Sequence, residues 1–307
     1  MNDPQAYLNG HWIPAVAAAI PLDDAGFVQG ATVAEQLRTF GGHIFRLEEH
    51  LARLHHSLDI VGIDPGMTAG EFAAVALELV ARNHRLLAAN DDMGLSIVVT
   101  PGTYPAYATS AASRPTVCLH TYPLPFHLWA EKYDRGQSLV TTDVRQVPAC
   151  CWPPSLKCRS RMHYYLADRQ AAASEPGARA LLLDEAGLVT EASTANVLAY
   201  RGGEGLISPR MEGILHGISL AVAFDLAAAA GIPTVERDLS VDDLIAADEV
   251  LLSSTPLCLL PVTRINGRPI GCGTPGPAFG RLLAAWGELV GLDIAAQARR
   301  FASRPAH

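Results

Sequence analysis

Lysine is nearly absent from this sequence, although arginine is common. Only Lys132 and Lys157 occur, beside 21 arginines. No run of basic residues exists that could neutralise the phosphates of a nucleic acid, and the formal net charge is −8. These features argue against a nucleic acid or an anionic membrane as a partner, so small molecules are the expected partners.

Long apolar runs and metal-binding motifs are also missing. The stretch WIPAVAAAIPL is too short and too rich in proline to span a bilayer, and the first residues lack the charged and apolar regions of a secretory signal. The six cysteines form no CxxC pair, the histidines no HExxH motif and the serines no GxSxG elbow. We therefore expect a cytoplasmic protein with reduced thiols, no metal site and no serine-hydrolase chemistry. His50, His55 and His56 are expected to be partly exposed on a helix.

Turn signals and apolar periodicity predict an α+β fold. Asn9-Gly10 and Gly41-Gly42 each lie between short β-type segments and are typical of two-residue hairpins. From Leu47 the apolar residues follow one helical stripe, and residues 69–87 form a second amphipathic stretch. In the second half of the chain, hairpins connect many of the strands, which predicts antiparallel and mixed pairing instead of a doubly wound sheet.

Lys157 lies in the segment SLKCRSRMHYYLADRQ, just ahead of a predicted helix that begins near Arg159. A lysine amine can lose its proton when it is desolvated and can then attack a carbonyl group, whereas arginine stays protonated. Most lysines, however, are exposed surface charges. The residues alone leave both interpretations of Lys157 open, and they favour the surface charge for Lys132.

Five segments, in order along the chain, resemble the motifs of the fold type IV pyridoxal-phosphate enzymes. This family contains the branched-chain and D-amino-acid aminotransferases and aminodeoxychorismate lyase. The matching segments are DDAGFVQGATVAEQLRTFGGHIFRLEEHLARL, SLKCRS, LVTEASTANVL, ILHGIS and EVLLSSTPLCLLPV. The resemblance implies a smaller N-terminal α/β domain (residues 1–120), a linker (121–128) and a larger C-terminal cofactor domain (129–307) with a mixed, largely antiparallel sheet.

The resemblance also implies the roles of individual residues toward pyridoxal 5'-phosphate. Lys157 matches the lysine that forms the Schiff base and carries a proton, and Glu191 matches the carboxylate at the pyridine nitrogen. The phosphate would be bound by the Arg46 side chain, the backbone amides of Ile218 and Ser219, and the Thr255 hydroxyl. The segment HGIS precedes an apolar helical stretch, and a helix N-terminus is a suitable anion site.

Two of these residues have a simpler alternative. Arg46 could instead form a surface ion pair with Glu48 or Glu49, and Glu191 could be a glutamate at a strand end that faces water. Other positions depart from the family pattern. Relatives carry an aromatic residue at Ala34. The D-amino-acid aminotransferases have an arginine and a histidine at Ala106 and Ala108, and the branched-chain enzymes have a tyrosine at Met162. Arg159 and Arg161 could bind a substrate carboxylate or form the exposed face of the predicted helix.

The function implied by the resemblance is transamination. An amino group would move from an amino acid to a 2-oxo acid through a Schiff base on Lys157 and through pyridoxamine phosphate, in a homodimer. One alternative is a lyase of the same family that releases pyruvate from aminodeoxychorismate. The other is a protein that binds the cofactor but has lost catalysis.

Overall fold

The computed structural model describes residues 3–108 and 114–304. The chain forms two compact units. The first comprises the residues up to Leu124 together with Leu156–Ser160, and the second comprises Pro125–Ser155 and the residues from Arg161 onward. The short segment that contains Lys157 therefore belongs to the first unit, although its neighbours on both sides belong to the second. The domain boundaries expected at residues 120 and 128 stay a prediction.

The first unit contains a sheet and two long helices. Its elements are β1 (Gln5–Leu8), β2 (His11–Pro14), α1 (Ala25–Val28), β3 (Val33–Phe40), β4 (His43–Ile44), α2 (Leu47–Val61), α3 (Ala69–His84), β5 (Met93–Thr100) and β6 (Thr116–Pro123).

The sheet of the first unit is antiparallel, with strand order β2-β1-β6-β5-β3-β4. Both predicted hairpins are present, because β1 pairs with β2 around Asn9-Gly10 and β3 pairs with β4 around Gly41-Gly42. Asn9 and Gly10 both have positive φ, as a tight hairpin turn requires. Side chains alternate along each strand, and one face of the sheet packs with α2 and α3 into a single apolar core.

The second unit contains the remaining elements. They are α4 (Lys132–Arg135), β7 (Gln137–Thr141), α5 (Met162–Ser174), β8 (Arg179–Leu183), β9 (Val189–Ala192), β10 (Ala195–Arg201), β11 (Gly205–Ser208), α6 (Ile218–Ala229), β12 (Thr234–Glu236), α7 (Val241–Ile245), β13 (Glu249–Ser254), β14 (Cys258–Ile265), β15 (Arg268–Pro269), α8 (Pro277–Val290) and α9 (Ile294–Phe301).

The sheet of the second unit is mixed and mainly antiparallel. Its strands follow the order β12-β11-β10-β13-β14-β7-β8-β9, with β15 paired to β14 and β9 paired to β10 as well. Parallel pairing occurs only between β11 and β12, β14 and β7, and β7 and β8 among the described strands. The predicted α+β class is therefore confirmed. None of the described helices is both long enough and apolar enough to cross a membrane.

Candidate active site

Backbone hydrogen bonds hold the segment that carries Lys157 against the start of β3. The carbonyl oxygen of Lys157 accepts from the amide of Ala34 at 3.1 Å, and the amide of Arg159 donates to the carbonyl oxygen of Thr32 at 2.8 Å. Between these bonds, Cys158 and Val33 form an antiparallel bridge. Because directly opposite residues share a face, the side chains of Lys157 and Arg159 leave on the face of Ala34, opposite the core face of Val33.

A second contact ties Lys157 to helix α2. Its backbone amide donates to the Oγ of Ser57 at 3.1 Å, and Ser57 is fully buried. Lys157 itself is half-buried, so it is not a fully solvated surface charge. Lys132 is also half-buried, and burial lowers the pKa of its amine, so the prediction of an exposed Lys132 is wrong.

A buried ionic network lies between β3 and α2. Glu35 on β3 accepts from Nε and Nη2 of Arg53 at 2.7 and 2.8 Å, and its Oε2 lies 2.8 Å from Nδ1 of His50. Burial alone would raise the pKa of Glu35, but the positive charge and hydrogen bonds of Arg53 outweigh it and hold the pKa below its usual value. Burial lowers the pKa of His50.

Sequence reasoning missed this network. His50 was expected to be partly exposed, yet it is completely buried, so that prediction is wrong. A signal was present in the spacing, because His50, Arg53 and Ser57 recur at intervals of three and four and share one face of α2. On β3, Glu35 lies two residues from each of the core residues Val33 and Leu37 and so shares their face, which also indicates a buried carboxylate.

Arg46 precedes α2 as its N-cap residue with a left-handed backbone, at φ 52°. Its Nη1 lies 2.7 Å from Oε1 of Glu49, and the two side chains are 35% and 43% exposed. The alternative of a surface ion pair therefore describes the contact that Arg46 makes here. An exposed pair of this kind contributes little to stability, so Arg46 can exchange Glu49 for another anion at small cost.

Glu191 lies on β9 in the second unit. It is only 3% exposed, so the alternative of a water-facing glutamate does not hold. Its carboxylate accepts from the Tyr164 hydroxyl at 3.0 Å, from Nδ2 of Asn196 at 3.4 Å, and from the backbone amide of Leu215. Burial, followed by the negative charge of Glu191, raises the pKa of Tyr164. The aromatic hydroxyl near the site thus comes from Tyr164, whereas Met162 is exposed.

Asn196 connects Glu191 to the segment that leads into α6. Its Nδ2 also donates to the carbonyl oxygen of Leu215 at 2.9 Å. Gly217, the N-cap residue of α6, approaches Asn196 so closely that an added Cβ would lie 2.0 Å from Oδ1. Since glycine has no side chain to cap the helix, the first amides of α6, those of Ile218 and Ser219, form an N-terminus that suits an anion.

A buried hydroxyl without a hydrogen-bond partner lies in the same row as Glu191. Strand pairing places Asn196 opposite Glu191 on one side and opposite Ser253 on the other, so the three side chains share one face of the sheet. The Oγ of Ser253 is buried and has no partner. Thr255 follows in the turn between β13 and β14 and is half-buried.

These features fit pyridoxal phosphate. A buried carboxylate suits a protonated ring nitrogen, the uncapped start of α6 suits a phosphate, and the orphaned Ser253 hydroxyl indicates a missing polar partner on this face. Lys157 and Arg46 belong to the first unit, whereas Glu191, Thr255 and the start of α6 belong to the second. No cluster of three metal-ligand side chains occurs within residues 3–108 and 114–304.

Comparison with known proteins identifies extensive similarity. Residues 32–265 match the family model of amino-transferase class IV. The chain is 31% identical over 270 residues to a D-alanine aminotransferase of Bacillus licheniformis, which covers 88% of this chain and 91% of the relative. A branched-chain aminotransferase of T.th. with pyridoxamine 5'-phosphate superposes with a TM-score of 0.82 at 26% identity, covering 94% and 95% of the two chains. The Escherichia coli branched-chain enzyme shares the fold, with a TM-score of 0.86 at 22% identity and coverage of 94% and 95%.

Proposed function

The chain belongs to the class IV aminotransferases, and from that membership we propose which of its residues carry out the reaction. The protein is a transaminase that depends on pyridoxal phosphate and moves an amino group from an amino acid to a 2-oxo acid. The residue assignments, the homodimer and the cytoplasmic location are proposals, and each has its own support and test.

Lys157 is the residue that binds the cofactor covalently and moves the proton. Bound pyridoxal phosphate supplies an aldehyde that condenses with amines and a ring that accepts electrons from the substrate carbon. With the cofactor bound, the amine of Lys157 would act as a base and then as an acid toward the substrate carbon. Two hydrogen bonds of the Lys157 backbone support this role, because they fix the position from which the side chain extends: its carbonyl oxygen accepts from the Ala34 amide, and its amide donates to Ser57.

Glu191 is the residue that holds the proton on the ring nitrogen. The burial of Glu191 is the observation that carries the proposal, since the residue is only 3% exposed. Its carboxylate accepts hydrogen bonds from a tyrosine hydroxyl, an asparagine side chain and a backbone amide. An ionised carboxylate at this depth is stabilised further by a cationic partner, and a protonated pyridine ring supplies one.

The phosphate is bound by the start of α6 and by two side chains. The amides of Ile218 and Ser219 and the hydroxyl of Thr255 would bind its oxygens, and Arg46 would supply the positive charge. The uncapped helix N-terminus supports the first assignment. The small cost of separating Arg46 from Glu49 supports the last one.

The test combines an optical and a chemical readout. Protein saturated with pyridoxal phosphate should show a visible absorption band that an amino donor bleaches, in a panel of D- and L-amino acids. Borohydride reduction followed by peptide mapping should place the phosphopyridoxyl group on Lys157. Lys157→Arg should abolish turnover, whereas Lys132→Arg, the matched control at the other lysine, should retain it. A label elsewhere, or an active Lys157→Arg protein, would contradict the assignment.

Nothing in the comparisons favours the two alternative functions. Release of pyruvate without a 2-oxo acid acceptor would identify the lyase. A bound cofactor whose band no donor bleaches would identify the inactive binding protein.

The homodimer is supported by exposed apolar side chains on the first unit. Val16, Leu22 and Phe27 are 95%, 77% and 67% exposed, and burying them against a second copy of the chain would be favourable. Light scattering on the cofactor-saturated protein should give twice the chain mass, and a monomer at micromolar concentration would contradict the proposal. The cytoplasmic location is supported by the six free cysteines, which suit a reducing compartment. Cell fractionation tests it.

A further inference from the structure

The sheet of the first unit has a polar face opposite its core face. Gln36 on β3, Ser96 on β5 and His120 on β6 are directly opposite one another in the strand register, so they form one row across the sheet. The residues that alternate with them, such as Leu95 and Leu119, lie in the apolar core. We call this row, together with the side chains that contact it, the polar face.

Arg159 lies on the polar face. Its Nη2 donates to the Oγ of Ser96 at 3.2 Å, and the alternation along residues 157–159 points its side chain to the same side as that of Lys157. Helix α5 begins only at Met162, so the alternative that Arg159 is part of the exposed face of a helix is wrong. After burial, the positive charge of Arg159 is a further cause of the lowered pKa of His120.

Small residues occupy several positions on this face. Ala34, directly opposite Lys157, carries only a methyl group, and Ser96 carries only a hydroxymethyl group. Next along β5, the ring of Tyr122 lies over Gly94, where an added Cβ would be 2.2 Å from the ring. Tyr122 also accepts a hydrogen bond of 3.4 Å from Nε2 of Gln36. The guanidinium of Arg159 lies beside the Ser96 hydroxyl, on the same face as the methyl group of Ala34, and this arrangement suits a small organic anion.

We infer that Arg159 binds the carboxylate of the substrate beside Lys157, an inference that rests on the proposed function. The α-carbons of two residues separated by one residue in an extended segment lie about 6.6 Å apart, so two long side chains on one face can converge on a single small molecule. An amino acid carries its amine and its carboxylate on the same carbon. An amine-reactive Lys157 and a carboxylate-binding Arg159 match those two groups. Arginine suits the second role because its planar fork forms paired hydrogen bonds with a carboxylate.

The experiment uses the holoenzyme, one amino acid with one 2-oxo acid as substrates, and 4-methylvalerate as an acid that cannot react. Arg159→Met should lower kcat/KM for the amino acid and for the 2-oxo acid roughly ten- to hundredfold, the loss expected for a hydrogen bond between charged groups. It should weaken competitive inhibition by 4-methylvalerate by a similar factor. It should leave inhibition by the neutral amide of that acid within about twofold. Arg169→Met is the matched control, since Arg169 is an exposed arginine on α5 that lies over the ring of Tyr165.

Arg159→Gln keeps an N–H donor for Ser96 and removes the charge, so it decides the question if the methionine variant does not fold. It should show the same loss toward the acid and the same indifference toward the amide. If the wild type turns over and both variants bind the acid within twofold of it, Arg159 does not bind the carboxylate while the transaminase assignment stands. If the wild type neither binds the cofactor nor turns over, both proposals fall together.

Discussion

Replacing Arg53 by methionine should destabilise the first unit strongly. Arg53 donates two hydrogen bonds to Glu35, which is fully buried, and its own side chain is almost buried. Methionine preserves much of the apolar volume of the arginine side chain. It removes both hydrogen bonds from Arg53 to Glu35 and leaves the contact of the carboxylate with the His50 ring. Removing one member of a buried ion pair costs about 3–5 kcal/mol, because the other charge stays desolvated. We expect a loss of that size in the free energy of unfolding.

The pH dependence should change sign as well. In the wild type, the pKa of Glu35 lies below its unfolded value, so the stabilisation is complete above a pH of about 4.3 and is lost as the pH falls toward the folded pKa. Without Arg53, the effect of burial dominates and raises the pKa of Glu35. The variant should then gain stability as the pH falls from 7 to 5, whereas the wild type should change little over that range.

Urea unfolding, with hydrogen exchange read on peptides of α2, measures both effects. The double variant Glu35→Gln/Arg53→Met should be more stable than Arg53→Met alone, because it removes the stranded charge. Arg135→Met is the control: Arg135 pairs with Glu131, both side chains are almost 80% exposed, at 79% and 78%, and the loss should cost less than about 1 kcal/mol. Two results would refute the reasoning. One is a loss below about 1 kcal/mol in the free energy of unfolding of Arg53→Met. The other is additivity, within about 0.5 kcal/mol, of the losses of Arg53→Met and Glu35→Gln in the double variant.

Three further changes test other contacts. Tyr164→Phe removes the hydroxyl that donates to Glu191, so cofactor affinity, measured by titration of the visible band, should fall about tenfold. Gly217→Ala places a methyl group against Asn196, and the shifted start of α6 should weaken phosphate binding, which competition by inorganic phosphate would reveal. Asp24→Ala leaves two buried threonine hydroxyls without their acceptor, and thermal unfolding should report a loss of about 1–3 kcal/mol.

Local signals predicted the parts of the fold that depend on neighbours in the sequence. The hairpin at Asn9-Gly10 requires positive φ within two residues, and asparagine followed by glycine meets that requirement without help from the rest of the chain. Helix α2 begins at Leu47, as its apolar stripe predicted. The hairpin and the helix were predicted correctly because the backbone preferences of their residues agree with the spacing of the neighbouring apolar residues.

Contacts between residues distant in the sequence determine the features that the sequence patterns did not predict, namely the burial of His50 and the start of α5. His50 would be exposed on an isolated helix, but Glu35 on β3 supplies the buried partner that makes its burial possible. The helix expected from Arg159 begins at Met162, because the preceding residues pair with β3 more than a hundred positions earlier in the chain. Periodicity within one segment carries no information about such partners.

The same long-range pairing with β3 places Lys157 in a different unit from Glu191. Lys157 and Glu191 are 34 positions apart in the sequence, yet the lysine is held by Ala34 and Ser57 of the first unit and the glutamate by Tyr164, Asn196 and Leu215 of the second. The position of Lys157 therefore depends on β3 and α2, including the buried pair of Glu35 and Arg53 between those elements. A change in that pair should alter the reactivity of Lys157 and leave the hydrogen bonds of Glu191 intact.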